Sequence, residues 1–247
     1  MEKISIREIL YLAQSPCHLY DQQNLFNRVV LKNQALDKIF FNKLIKEKKF
    51  SFYATTSGKE LITQAIYNNV TTICKKFSLG SPVKNGVKIL NLLLLYQKEV
   101  YKNPFDQKLI QQYYQLCRMI TEIIPHIQKF LPSIYREFSH LKLNYIFSQP
   151  ILSTVFFSAI IHDAKIFDRP FNQSLIMASF FKDIGMSLID KNLLGKKSIS
   201  TEEKQEINKH SRYSKILCEQ QLPMSITQLK LIEHHHDIKN EKILFGP

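Results

Sequence analysis

The alternation of apolar and polar positions changes character along this chain. Residues 16 to 56 carry two short β-prone runs, HLYDQ and FNRVVLK, then a helical pattern from Asp37 to Lys48, then FSFYATT, which together predict a small β-β-α-β unit. Ser57 and Glu60 in SGKE have the spacing of a capping box, so a helix is expected from there to about Phe77. GSPVKNG, at residues 80 to 86, concentrates turn-forming residues and reads as the clearest break in the chain. Beyond it, helices are expected near 87–102 and 105–130, separated by Asn103 as an N-cap and Pro104 in the first turn.

From Ser148 onward the pattern is almost wholly helical. Ile151, Leu152, Val155, Phe156, Ala159 and Ile160 recur at helical spacing and predict one buried face. LIMASFF, at 175–181, is apolar all round, as a central helix should be. Ser200 and Glu203 form a second capping box that opens a helix leading into Lys209 and His210, and Pro223 starts another ending near His236. The expected fold class is therefore mainly α, with an all-α C-terminal bundle and a small N-terminal α/β unit. No membrane span is expected, because the longest apolar stretch, Val87–Tyr96, is interrupted by Lys88 and Asn91 and falls short of the roughly 20 residues a bilayer requires.

Composition narrows the field further. With 45% apolar and 22% charged residues the chain is of ordinary globular type. MEKISIREIL lacks the layout of a secretion signal, so a cytoplasmic location is expected. Cys17, Cys74, Cys117 and Cys218 form no CxxC pair and read as free thiols. The net charge of +13 is uneven: residues 148–247 hold 13 basic against 11 acidic side chains, leaving 21 against 10 in the first half. That half has no Arg-rich stripe and no interleaved aromatic motif, so a solvated lysine-rich surface is favoured over nucleic-acid binding. Tyr113, Tyr114, Phe130 and Tyr135 are read as core, not as a base-stacking platform.

Three segments carry chemistry: KDIG at Lys182–Gly185, NKHSRYS around His210, and HHHD at His234–Asp237. Aspartate and histidine bind borderline divalent metals, and several must converge because each gives only one or two donor atoms. On the last predicted helix His235 and His236 follow Leu231 and Ile232 by four residues and share their inward side, whereas His234 follows Lys230 and faces water. Asp183 closes the most apolar helix and needs a compensating partner. A metal held with His210, His235 and His236 would provide one, and so would Lys182. His162 and Asp163 are a literal HD pair, but AKIFDRP after them lacks the glycine-bearing turn, so they are read as the exposed end of a helix.

In order and spacing these segments resemble the HD-GYP family of metal-dependent phosphohydrolases. SQPIL at Ser148, KDIGM at Lys182, ISTEEKQEINKH ending at His210, HHD at His235 and FGP at the end follow the family's sequence of motifs over roughly residues 144–247. The resemblance implies an HD-like helical bundle at 141–247, preceded by a helical connection at 81–140 and the small α/β unit at 1–80. That unit loosely resembles the small domain preceding some predatory-bacterium members of the family.

The resemblance also implies losses. Two histidine ligands of the family fall on Ser148 and Lys182, the lysine after its glycine falls on Met186, and the GYP glycines and tyrosine are not reproduced in Ile243–Pro247. Asp183, His210, His235 and His236 keep the positions that serve one metal, so at most one divalent transition metal (Fe, Mn or Zn) is expected, or none. The function so implied is a catalytically degenerate domain, regulatory or interaction-mediating, with a protein partner in a pathway related to cyclic dinucleotides. No residue is assigned as catalytic and none as ligand-binding. Two rivals stand beside this reading. One is a metal-dependent phosphodiesterase acting on cyclic di-GMP or another phosphodiester, either with one metal or with replacement ligands, for which Asn144, Gln149 and His162 are the candidates. The other is an HDOD-like assembly platform that needs no ion.

Overall fold

The computed structural model describes residues 1–22, 26–139, 145–164, 168–194, 196 and 198–237, without the side chains of 137–139 and 145. Asn144 and the terminal FGP lie outside the described residues. The chain divides into two compact units, Met1–Tyr96 and Gln97–Pro247.

The first unit is built on a four-stranded antiparallel sheet. Strand β1 (Glu2–Ser5) is followed by the one-turn helix α1 (Ile6–Ile9), β2 (Leu19–Gln22), β3 (Phe26–Val30), α2 (Lys38–Lys46) and β4 (Ser51–Ala54), in the spatial order β1-β4-β2-β3. The expected β-β-α-β unit is thus present with an extra strand and turn ahead of it. Ser5 and Glu8 form a capping box there, and Glu8 also pairs with Lys59 in the interior. Helix α3 (Thr56–Lys75) packs on this sheet through Ile62, Ile66 and Val70. Its N-cap is Thr55, whose Oγ1 accepts from Gly58 N at 3.0 Å, not Ser57 as the sequence suggested. Thr55 wins because it is the last extended residue, at ψ 161°, and its oxygen already faces the orphan amides.

The break after α3 is shorter than the composition of GSPVKNG predicts. Gly80 takes φ +105°, which suits glycine, and α4 (Pro82–Lys102) begins at once with proline in the position where a missing N–H costs nothing. The boundary between the units falls within α4.

In the second unit α5 (Gln107–Ile127) is capped by Asp106, whose Oδ1 accepts from Leu109 N at 3.0 Å, so Asn103 and Pro104 belong to the turn before it. After α6 (Leu131–Ser139) come α7 (Tyr145–Ala164) and α8 (Arg169–Phe181), the latter capped by Asp168. A 3-10 turn at Ile184–Leu188 leads through the short α9 (Lys191–Leu194) to α10 (Thr201–Asn208), α11 (His210–Gln221) and α12 (Ile226–Glu233). The Ser200–Glu203 capping box forms as expected, while α12 starts from a Ser225–Gln228 box two residues beyond Pro223.

Helix α8 is the axis of this bundle and packs against α5, α7 and α12. Leu175–Ala178, Phe180 and Phe181 are buried around most of its circumference, as LIMASFF predicted. The face predicted for α7 is shifted: Ile151, Thr154, Val155, Ser158 and Ile161 are buried, while Phe156 and Ile160 are 42% and 66% exposed. Thr154 and Ser158 can face inward because their hydroxyls donate to the carbonyls of Pro150 and Val155 of their own helix. Among the four aromatic residues read as core, Tyr113 is buried, Tyr114 and Phe130 are half-buried, and Tyr135 is exposed against Phe156. All four cysteines are free and buried. Among the described residues no helix is long and apolar enough to cross a membrane.

Candidate metal centre

The residues singled out in three separate segments come to one place. Asp183 follows α8 and heads the 3-10 turn, His210 opens α11, and His235 and His236 lie in the turn that ends α12. One ligand atom from each of the four lies within 4.8 Å of the other three. His210 Nε2 is 3.3 Å from His235 Nε2, 3.1 Å from His236 Nε2 and 3.3 Å from Asp183 Oδ1, and His235 Nε2 is also 3.3 Å from Asp183 Oδ1. His234 is turned away, with its Nδ1 2.8 Å from Asp237 Oδ2.

Local backbone geometry sets the imidazoles. His210 Nδ1 lies 2.6 Å from Ile207 O and His235 Nδ1 lies 2.8 Å from Ile232 O, each a carbonyl three residues upstream. A carbonyl can only accept, so both rings carry their hydrogen on Nδ1, and in the neutral ring Nε2 is then a bare lone pair. These lone pairs face each other and a carboxylate oxygen at separations where a cation is the natural mediator. The edge of a tetrahedron with ligand bonds of about 2.05 Å is about 3.3 Å, which is the spacing of four of the six pairs. Three imidazoles and one carboxylate suit zinc or ferrous iron better than magnesium or calcium.

The carboxylate of Asp183 is divided between two environments. Oδ1 faces the histidines, and Oδ2 accepts from the Lys182 ammonium. Burial alone would raise the Asp183 carboxyl, but it is outweighed by the Lys182 ammonium on Oδ2, and by His210 and His235 whenever their Nε2 carries a proton to donate. The carboxyl is thereby held well below the usual carboxylate range. His236 is pushed down to about 4, first by burial and then by the neighbouring His235 and His210, so its ring is neutral and able to ligate at pH 7.

Other parts of this framework left almost no signal in the sequence. Tyr101 donates its hydroxyl to Asp183 O at 2.8 Å from 82 residues away, and burial pushes that hydroxyl's pKa up, which keeps it a donor. Ser214, one turn after His210, accepts from Gly185 N at 2.7 Å and fixes the 3-10 turn against α11. The i, i+4 spacing of His210 and Ser214 was the only available hint.

The remaining sequence candidates stand elsewhere. Ser148 is half-buried in α7, and Gln149 is beside it. His162 and Asp163 sit at the exposed end of α7. His162 lines a cavity with Arg169 and Gln173 near the start of α8, the opposite end of that helix from Asp183.

The architecture is thus a mainly helical bundle bearing an aspartate–histidine cluster that could hold a metal ion. No family model matches the chain, and no curated protein does. Among solved structures the fold is similar to that of Bd1817, an HDG"Y"P protein from Bdellovibrio bacteriovorus, with a TM-score of 0.63, 15% identity, and coverage of 95% of this chain and 76% of that one. The fold is HD-GYP-like.

Proposed function

We propose that the chain is an HD-GYP-type domain reduced to a single metal position, serving as a regulatory or protein-interaction module in a pathway related to cyclic dinucleotides. One observation carries this reading. Lys182 holds Asp183 Oδ2, the oxygen that a second ion would need, with a cation covalently part of the chain. Two like charges at such a distance repel strongly, so a second ion is disfavoured beside that ammonium.

Asp183, His210, His235 and His236 would hold the one ion, which when bound supplies a Lewis acid. The chain's own residues supply orientation. Ile207 O and Ile232 O fix the ring tautomers, and Tyr101 and Ser214 fix the turn that presents Asp183. Phosphodiester hydrolysis on two adjacent metals requires a partner ion to stabilise the leaving oxygen, and the lysine stands in its way.

The test is turnover of cyclic di-GMP with manganese or ferrous iron supplied, alongside a metal count on the purified protein and Asp183→Ala as the blank. We expect at most one tightly bound transition metal per chain and no turnover above the blank. Two bound ions would overturn the single-metal reading, and metal-dependent turnover abolished by Asp183→Ala would show that the chain is an enzyme.

A further inference from the structure

Beside the cluster lies a cavity of about 300 Å³, at the lower end of the range of ligand pockets. Phe157 of α7, Leu175 and Ala178 of α8, and Leu231 of α12 form its walls. Lys182 and His235 border it, so its rim adjoins the aspartate–histidine cluster through those two residues. The two serines that also line it have their hydroxyls engaged within the helices: Ser153 Oγ donates to Pro150 O at 3.2 Å, and Ser179 Oγ is 2.8 Å from Thr154 Oγ1. His235 is likewise occupied, with Nδ1 on Ile232 O and Nε2 facing Asp183. Lys182 differs. One N–H of its ammonium serves Asp183, and an ammonium has three.

From this arrangement we infer that the cavity is a binding site for an amphipathic oxyanion, whose phosphate or carboxylate head meets Lys182 and whose apolar body fills the space between Phe157, Leu175, Ala178 and Leu231. Among the described residues the walls offer a nucleobase edge only the two serine hydroxyls already engaged by the helices, and burying one there would leave most of its donors and acceptors unpaired. An aliphatic or aromatic body loses nothing on entry. The head is drawn by charge: with one divalent ion on the four ligands, the ion and Lys182 together outweigh Asp183. In this respect alone the inference rests on the proposed metal site.

The experiment is calorimetric titration of the full chain loaded with zinc, using octyl phosphate against methyl phosphate and octanoate against acetate. Each buried methylene is worth about fourfold in affinity, so burying about four of them gives octyl phosphate or octanoate an advantage on the order of a hundredfold over its short counterpart. The pair showing it identifies the head. An advantage below tenfold in both pairs overturns the inference. Ser153→Phe, which adds a ring to the cavity at the cost of one bond within α7, should cut the advantage at least tenfold with zinc content unchanged. Phe157→Asn, at a half-buried position, gives the same readout by making the wall polar should the first variant not fold. If the advantage survives a folded variant, the ligand binds elsewhere and the inference falls. Should the chain take up no zinc, the metal reading fails on its own, while the comparison of long and short ligands still decides the pocket.

Discussion

An alanine at position 185 would place its Cβ 2.2 Å from His210 O, 2.5 Å from Ser214 N and 2.9 Å from Ser214 Oγ. Ordinary contact begins near 3.4 Å, so the 3-10 turn and the first turn of α11 must part by about 1 Å. Two of the three obstacles are backbone atoms, which no rotamer change can move. Overpacking of this kind costs about 1–3 kcal/mol, and loss of the Gly185 N–H bond to Ser214 adds about 1 kcal/mol. At about 2–4 °C per kcal/mol for a chain of this length, Gly185→Ala should lower the unfolding temperature by about 5–15 °C. The same displacement moves His210 away from Asp183, and weakened support of this sort typically costs about 10–100-fold in metal affinity. Thermal unfolding by circular dichroism and zinc titration read the two effects separately. A variant melting within about 2 °C of the parent, with unchanged zinc affinity, would show that glycine at 185 does not set the spacing between the turn and α11.

Two further outcomes follow from buried charge. Glu8 and Lys59 are a nearly inaccessible ion pair, and Lys59 overcomes the effect of burial to lower the Glu8 pKa. Glu8→Gln should therefore destabilise the N-terminal unit by about 3–5 kcal/mol, while Glu8→Gln with Lys59→Met recovers much of the loss in urea unfolding, and equal losses would refute the pairing. In metal-free protein His236 titrates near 4 against 6.5 when unfolded. The unfolded chain thus takes up this proton first. Stability should fall as pH drops from about 6.5 to 4, and His236→Ala should flatten that part of the urea-midpoint profile. An identical profile in the variant would place the proton uptake elsewhere.

Much of the second unit was legible because its signals are local. The all-round apolar run at 175–181, the Ser200–Glu203 box and the spacing of KDIG, His210 and HHD each depend on residues close in sequence, and the resemblance to a known motif order tied them together. Misplaced boundaries arose where two local signals competed. Thr55 and Ser57 are both capping residues, and only the extended backbone at Thr55 decides between them. Asp106 took the cap from Asn103 in the same way. Strand β1 escaped notice because four residues are too few for a period, and its pairing partner β4 lies about fifty residues on. Tyr101 could not be read at all, since a tyrosine in an amphipathic helix looks like core until the carbonyl at 183 is brought to it.

Lys182 and Asp183 are adjacent in the chain, so the countercharge for that buried carboxylate is delivered by synthesis itself. A centre assembled only from acids and imidazoles leaves its carboxylate dependent on an ion for compensation, and folding is then coupled to the ion's concentration. Here the bundle can close around Asp183 with that charge already compensated, so folding need not wait for an ion.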